Sequence, residues 1–415
     1  MIPKKRGNIR MNKHLFLKRI LWTAFFVVIY QMGQHIYIPT IDIFSAQQAL
    51  GSVPFFRLVA LTTGGQMSVP MILSLGMRPY MTGMIIWQAV MAMDLDSVKR
   101  MTLRQQGYVQ RLITLVLAII QSVEMVYAMD RSFKPFYLPG TEIDISMVIG
   151  LIVLIAGALF TTWLADLNAQ KGLGGTVALI LPGIFAGLPE TLHSGLGVVF
   201  PQTMQNLIWV AVVTVIFVVI IVFLNQGELR IPIQRPLLEA SYASSYLPIR
   251  FFTAGAMPFM FATSFFSFPR YFINSTMGPV GRWQKIIFQW TSFSTIQGIM
   301  LYGLVTILLG YAFGLINLQP TDEAKQLKES GDYIFGTYPG DSTEHLIMHH
   351  FWVLSFWSNL VLLLVAVGPL IVGLKIPGVA NFSPFLGSIM ILVTIIDTIK
   401  EQVLALWNKD RYHII

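Results

Sequence analysis

Two ionisable side chains, Arg78 and Glu124, fall inside long apolar stretches of this 415-residue sequence. A charge within an apolar helix is costly, so such residues pair with one another or line a wet route. Arg78 stands about nine residues from one end of its stretch and Glu124 about six from the matching end of the next, a depth difference of about 4–5 Å at helical rise. An ion pair between adjacent antiparallel helices fits that spacing, and so does an Arg78 that faces a polar pathway. The other candidates are weaker. His349-His350 is the densest histidine group, but neighbouring residues diverge on a helix and no carboxylate or third histidine stands at ligand spacing. Asp166 and Asp397 lie near ends of apolar stretches, where they can cap or reach the interface. There is no nucleophile–base pair and no GxxxxGK[ST] phosphate loop, and Lys171-Gly-Leu-Gly-Gly175 reads as a turn between two helices. No metal, no cofactor and no enzymatic activity are expected.

What positions these residues is a set of apolar helices. The chain is 55% hydrophobic and 12% charged, about half the charge of an ordinary soluble protein, so lipid must solvate most of its surface. Ten stretches read as transmembrane helices, at about 20 residues per crossing: Ile20–Ile38, Val69–Met93, Leu112–Met129, Met147–Leu164, Thr176–Leu188, Leu207–Leu224, Phe251–Phe268, Ser294–Ile316, Phe351–Leu374 and Phe385–Leu406. Pro79, Pro182, Pro258 and Pro369 interrupt four of them. Such breaks free backbone groups that neighbouring helices or a polar cavity must satisfy, which points to transport. The basic start, Lys4 to Arg19, has no small-residue cleavage site behind it and reads as retained. No cysteine is present, so disulfides and thiolate metal sites are excluded.

Assigned to alternating loops, Lys and Arg fall twenty on one side and seven on the other, with Arg78 inside a span. That bias places both termini in the cytoplasm, and explains the net charge of +8 without a nucleic-acid partner. Two cytoplasmic connections are long: 225–250, whose Gly-Glu-Leu-Arg-Ile-Pro-Ile-Gln alternates like a hairpin, and 317–345, with six acidic residues against two lysines. Each is either a solvated linker or a docking surface. On the outer side, 43–67 holds the apolar run Pro54–Leu61, too short to span and too apolar for an exposed loop.

Several motifs carry a resemblance. Leu17-Lys-Arg-Ile-Leu, Tyr30-Gln-Met-Gly-Gln-His-Ile-Tyr-Ile-Pro39-Thr-Ile-Asp42, Ser74-Leu-Gly-Met-Arg-Pro-Tyr80, Lys171-Gly-Leu-Gly-Gly175, Phe185-Ala-Gly-Leu-Pro189, Gly227–Gln234, Tyr246-Leu-Pro248, Gly255-Ala-Met-Pro258 and Pro339-Gly-Asp341 occur in the order and spacing of the SecY family of protein-conducting channels. The resemblance implies an all-α polytopic fold of ten helices in two inverted five-helix halves, 1–190 and 191–415, around an hourglass pore. It implies a pore ring of Met77, Met81, Ile184, Met260 and Met390, and an external plug containing Phe55, Phe56, Leu58 and Leu61. It also implies a lateral gate between the second and seventh spans. Met77 and Met81 share a helix face; Arg78 lies about 100° away and is expected at that gate.

The implied partners are a SecA-type motor ATPase, small SecE- and SecG-like membrane subunits, and a secreted polypeptide bearing a signal peptide. Arg230 and Tyr338 are expected at the motor-docking surface. The chain departs from the housekeeping pattern at Arg78, Glu124, Gly175-Thr176 and Tyr338. In these it resembles the accessory paralogues of some Gram-positive bacteria, which export glycosylated serine-rich adhesins across the plasma membrane. A small-solute secondary transporter, which also uses broken helices and inverted repeats, is the competing class, but the spans offer few ionisable residues for a midplane substrate site.

Overall fold

The computed structural model describes residues 13–46, 71–92, 101–137, 144–194, 196, 200, 201, 203–236, 244–263, 281–376 and 378–408. The first half contributes helices α1 (Lys13–Gly33), α2 (Arg78–Ala92), α3 (Leu103–Ala128), α4 (Ser146–Lys171) and α5 (Leu181–Ser194). Then come α6 (Met204–Gln226), strands β1 (Glu228–Gln234) and β2 (Ser244–Arg250), and α7 (257–263). The chain continues with α8 (Arg282–Trp290), α9 (Ile296–Leu318), α10 (Pro320–Ser330), β3 (Tyr333–Ile334), α11 (Asp341–Gly373) and α12 (Phe382–Asn408).

Among the described residues eight helices are long and apolar enough to cross a membrane. They match eight of the ten expected spans, and the other two fall short for definable reasons. The second was expected over Val69–Met93, but residues 71–77 form turns and only the 15 residues of α2 are α-helical. The seventh begins at 257, and its continuation lies outside the described residues. Three of the prolines expected inside spans instead sit in the first turn of a helix: Pro79 in α2, Pro182 in α5 and Pro258 in α7. There the missing N–H costs nothing, because first-turn amides have no intrahelical partner. Pro369 does lie inside α11.

The same four-residue device opens α2 and α7. Gly76-Met-Arg-Pro79 and Gly255-Ala-Met-Pro258 each begin with a glycine at positive φ, +53° and +60°, a backbone region glycine enters without penalty. Residues freed by the break before α2 are satisfied locally: the Met71 amide donates to Ser74 Oγ (2.5 Å), Ser74 Oγ–H to the Met71 carbonyl (2.8 Å), and the Ile72 amide to the Ile36 carbonyl (2.9 Å). Before α7, the Phe251 amide donates to the Gly227 carbonyl (2.8 Å) and Asn317 Nδ2 to the Thr253 carbonyl (2.9 Å).

The turn 171–175 is a joint between four helices. Leu173 N–H donates to Thr23 Oγ1 of α1 (2.7 Å), Asn168 Nδ2 of α4 donates to the Leu173 and Gly175 carbonyls, and Gly174 N–H donates to Gln402 Oε1 of α12 (2.7 Å). Gly175–Ile180 continues as a 3₁₀ helix into α5, so the fifth span is a composite and extends to Ser194 rather than ending at Leu188. At the other membrane face, buried Asn381 accepts from the Leu196 amide (2.9 Å) and donates to the Leu192 carbonyl (3.1 Å).

Helix neighbours pack as α2 on α3, α3 on α4, α4 on α1, α9 on α11 and α11 on α12, and α12 also touches α5 and α6. Of the eight spanning candidates α12 is the most buried, at 61% of its apolar window, and its Phe385–Ile395 stretch lies in the main core.

Outside the apolar slab the two long connections form one small domain. β1 pairs antiparallel with β2, as the alternation predicted, and also with β3, giving the order β2-β1-β3. Ile231, Ile233, Ile249, Ala324, Leu327, Ile334 and Ile347 make its core. The last of these belongs to α11, which starts ten residues before the expected Phe351, because its first turns leave the slab to pack on the sheet. Among the described residues the fold is therefore helical except for this sheet and three isolated bridges.

Close approach at one crossing gives a test of the packing. A β-carbon on Gly157 of α4 would run into the Ile72 carbonyl oxygen of the broken segment. Gly157→Val is expected to cost about 1–3 kcal/mol, read as a lowered midpoint of unfolding in detergent. Gly107, with nothing near its absent side chain, should tolerate alanine.

Candidate functional site

The breaks before α2 and α7 bring their first turns into one apolar cluster. Met77, Met81, Ile184, Met260 and Met390, the residues expected at the pore ring, are each 5% exposed or less and all belong to it. Met81 and Met260 also line a cavity of about 460 Å³, together with Met84, Ala256, Met257, Ile391, Thr394 and Thr398. The cavity is bounded on the sheet side by Asn225, Pro248, Arg250 and Asn317, so its polar border faces the small domain and its methionines lie deeper. Thioethers on unbranched stems adapt to the shape of whatever packs against them. Four methionines around one cavity make a surface that is apolar without being rigid.

Sequence reasoning passed over the polar border. Asn225 Nδ2 at the end of α6 donates to Asp397 Oδ2 of α12, Arg250 Nη2 pairs with Glu401 Oε2 at 2.7 Å, and Thr253 Oγ1 meets Ser355 Oγ at 3.2 Å. Asp397, expected to cap a helix or reach the interface, instead meets Asn225 of α6, far away in sequence. The one signal available was that polar residues recur at the same end of several apolar runs. Asp166 pairs with Arg111 of α3 at 3.2 Å.

Arg78 lies at the start of α2 and is 6% exposed. Its Nε donates to Gln121 Oε1 (2.9 Å) and its Nη2 to Glu124 Oε2 (2.8 Å), both on α3. Of the two readings open in the sequence, the structure holds the ion pair, and the matched depths were the signal for it. Gln121, one turn from Glu124 on the same face, was not singled out. The guanidinium is thus engaged by the third span, at one edge of the helix that was expected to face the seventh. Phe55, Phe56, Leu58 and Leu61, expected in the plug, lie outside the described residues. The segment leading to them is anchored: Asp42 Oδ2 accepts from Ser45 N–H and Oγ–H, which holds its carboxyl below the usual range, and the Lys134 amide donates to the Thr40 carbonyl (2.9 Å).

Of the expected docking residues, Arg230 projects from β1 with its side chain 62% exposed, paired to Glu228 at 2.6 Å and lying 4.8 Å over the Tyr246 ring. The pairing raises its proton affinity further. Tyr338 is 83% exposed beyond β3, and Phe335, not anticipated and three residues before it, is 81% exposed. Among the described residues no cluster of three or more His, Asp or Glu has a metal-binding arrangement.

Broken helices around a methionine-lined cavity, enclosed by spanning helices, define a multi-pass membrane protein of the channel type. Solved structures share the fold over nearly the whole chain. "The structure of a protein conducting channel" aligns with a TM-score of 0.62 at 18% identity, over 98% of this chain and 95% of that one. "Sec61 in the Canine ribosome-channel complex from the endoplasmic reticulum" aligns at 0.59 and 17%, over 98% and 95%. The chain belongs to the SecY family, whose model, described as SecY, matches residues 71–399. Its relatives include the "Accessory Sec system protein translocase subunit SecY2" of Streptococcus sanguinis, 29% identical over 96% of this chain and 98% of the relative. The protein of the same description from Leuconostoc gelidum subsp. gasicomitatum is 28% identical over 98% of each. The "Protein translocase subunit SecY" of Lactococcus lactis subsp. cremoris is 28% identical over 86% of this chain and 83% of that one. The family is a class of protein-translocation channels, not of enzymes.

The ion pair invites a double-mutant cycle. Removing one member of a buried pair typically costs about 3–5 kcal/mol because its partner stays buried and charged. Arg78→Leu is expected to lower stability by that order, and Arg78→Leu with Glu124→Leu to recover most of it. Losses that simply add, with the double variant destabilised by the sum of the Arg78→Leu and Glu124→Leu losses in detergent unfolding, would show that the pair is not coupled.

Proposed function

We propose that this chain is the channel subunit of an accessory Sec translocase in a bacterial plasma membrane, with both termini and the small sheet domain cytoplasmic. In this reading it passes secreted, glycosylated serine-rich polypeptides outward, driven by a separate SecA-type ATPase and held with SecE- and SecG-like subunits. The observation that carries it is the methionine-floored cavity between α2, α7 and α12, open toward the sheet domain. The bias of Lys and Arg toward that side supports the orientation, and full-length likeness to proteins described as accessory subunits supports the branch. The repeated Gly-x-x-Pro in the second span of each half supports the division into inverted halves at about residue 190.

Met77, Met81, Ile184, Met260 and Met390 form the seal in this reading, and residues 43–67 the plug. Arg78 is a positioning residue: through Gln121 and Glu124 it fastens α2 to α3, so the two move as one wall of the lateral gate. A carrier would instead need a substrate-sized polar site at mid-depth, and the cavity's deep end is methionine.

Charged substitutions test the seal. Met81→Glu with Met260→Glu is expected to raise ion conductance in a planar bilayer at least severalfold, because a fixed charge draws water into an apolar constriction. Conductance equal to that of the unsubstituted channel would remove both residues from the seal.

Motor docking is tested at the sheet domain. Its acidic connection and exposed Phe335 and Tyr338 offer a partner aromatic anchors within a negative field, and a motor suited to a basic loop would meet the wrong charge. Tyr338→Arg with Glu344→Lys should weaken the cognate motor and strengthen the housekeeping one, by about tenfold each if two charge contacts change by about 0.7 kcal/mol apiece. Both motors binding both channels alike at physiological salt would overturn the assignment.

A further inference from the structure

Helix α8 has an amphipathic character that the channel reading does not use. At about 100° per residue, Trp283, Ile286, Ile287 and Trp290 fall within one arc of about 100°, and Arg282, Lys285 and Gln289 lie together beside it. Trp283 is 79% exposed, and Ile286, Ile287 and Trp290 are exposed as well. No residue of the helix is buried, although it holds a defined position.

That position is fixed by the turn that follows. Thr291 N–H donates to the Ile287 carbonyl (2.9 Å), and the Thr295 hydroxyl donates to the Gln289 carbonyl (2.5 Å) while its oxygen caps α9 by accepting from the Gly298 amide (3.2 Å). Thr291 and Ser292 are buried, and a β-carbon on Gly298 would run into the Ser292 carbonyl, so the turn is folded tightly on the first turn of α9. Ile296 and Met300, the first outward-facing residues of that apolar span, are 62% and 68% exposed. The helix therefore sits at the level where the lipid-facing wall begins. Because the far end of α9 leads into the sheet domain, α8 lies at the opposite membrane face.

We propose that α8 is an interfacial helix that docks on the membrane surface opposite the sheet domain, with its two tryptophans and two isoleucines in the headgroup–acyl boundary and Arg282 and Lys285 on anionic lipid headgroups. Tryptophan favours that boundary because its ring is apolar and its N–H is not, and basic residues flanking an apolar face are the signature of helices that lie in the interface. Continuity with the lipid-facing wall of α9 argues for lipid over a second protein. The assignment holds whichever face is outside, so it stands or falls separately from the export reading.

The absence of cysteine allows single-site labelling of the full chain. Ile287→Cys and Gln289→Cys, each carrying a fluorescent probe, are compared in vesicles of phosphatidylcholine alone and with phosphatidylglycerol. In anionic vesicles the probe at 287 should be quenched by shallow spin-labelled lipid and shielded from iodide, with the reverse at 289. Arg282→Gln with Lys285→Gln should return the 287 probe toward iodide access, by roughly fivefold per charge removed, while 289 changes little. Iodide reaching 287 and 289 alike in both vesicle types would overturn the proposal. So would shielding of 287 that lipid quenchers do not match, which would mean protein covers the helix. Quenching at 287 that is the same in both vesicle types would overturn the headgroup contact.

Discussion

Hydrocarbon offers no hydrogen bonds, so every backbone group inside the membrane must find a partner within the protein. This constraint explains why the breaks in this chain lie where they do. Residues 71–77 are irregular within the slab and are folded into their own turns by Ser74, while the turns at its edges, 171–175 and 251–256, are tied by side chains of other helices: Thr23, Asn168 and Gln402 for the one and Asn317 for the other. Irregular backbone of this kind persists only inside a shell of continuous helices, and α4, α9, α11 and α12 supply much of that shell. The cavity follows from the same arrangement. It lies between α2, α7 and α12 and is lined by Met81 and Met84 of α2, by the turn 252–256 with Met257 and Met260 of α7, and by Ile391, Thr394 and Thr398 of α12.

The cavity's two ends differ because the elements that build them differ. Its deep lining comes from first-turn and mid-helix methionines, its border from helix termini where amides and carboxylates are affordable. Asn225 with Asp397 and Arg250 with Glu401 join the border to α12. The same helix receives the Gly174 amide through Gln402, so α12 links the border of the cavity to the joint of the first half. The small sheet domain rests on this border through β2, and its own core extends into α11. A push delivered to the sheet is thereby delivered to packed helices, whereas a free loop would absorb it.

Much of this was legible from residue types alone. Hydropathy located the spans, because a lipid-solvated helix must be apolar over a fixed length. Alternation over Gly227–Gln234 located β1, because one face of it is buried. Matched depths of Arg78 and Glu124 anticipated their contact, because rise per residue converts position to height. Other features were not legible. Strand β3 is two residues in a polar connection, and only its pairing with Ile233 and Gln234 makes it a strand. Pro79, Pro182 and Pro258 read as interruptions, yet they start helices, since periodicity cannot distinguish a kink from a first turn. Asn225 and Asp397 are adjacent only through the fold. The ring residues and docking residues came from resemblance; their burial and exposure are structural facts, and their roles are the reading proposed above.

The central claim is that a polypeptide passes through the methionine-lined cavity. Single cysteines at Met81, Met260 and the lipid-facing Ile208, which is 60% exposed, can be introduced into the cysteine-free chain, and an exported substrate with one cysteine can be stalled in the translocase. Disulfide formation from positions 81 and 260, with none from 208 and none without the motor, is the predicted result. Equal cross-linking at all three positions, or cross-linking at 208 alone, would contradict the account.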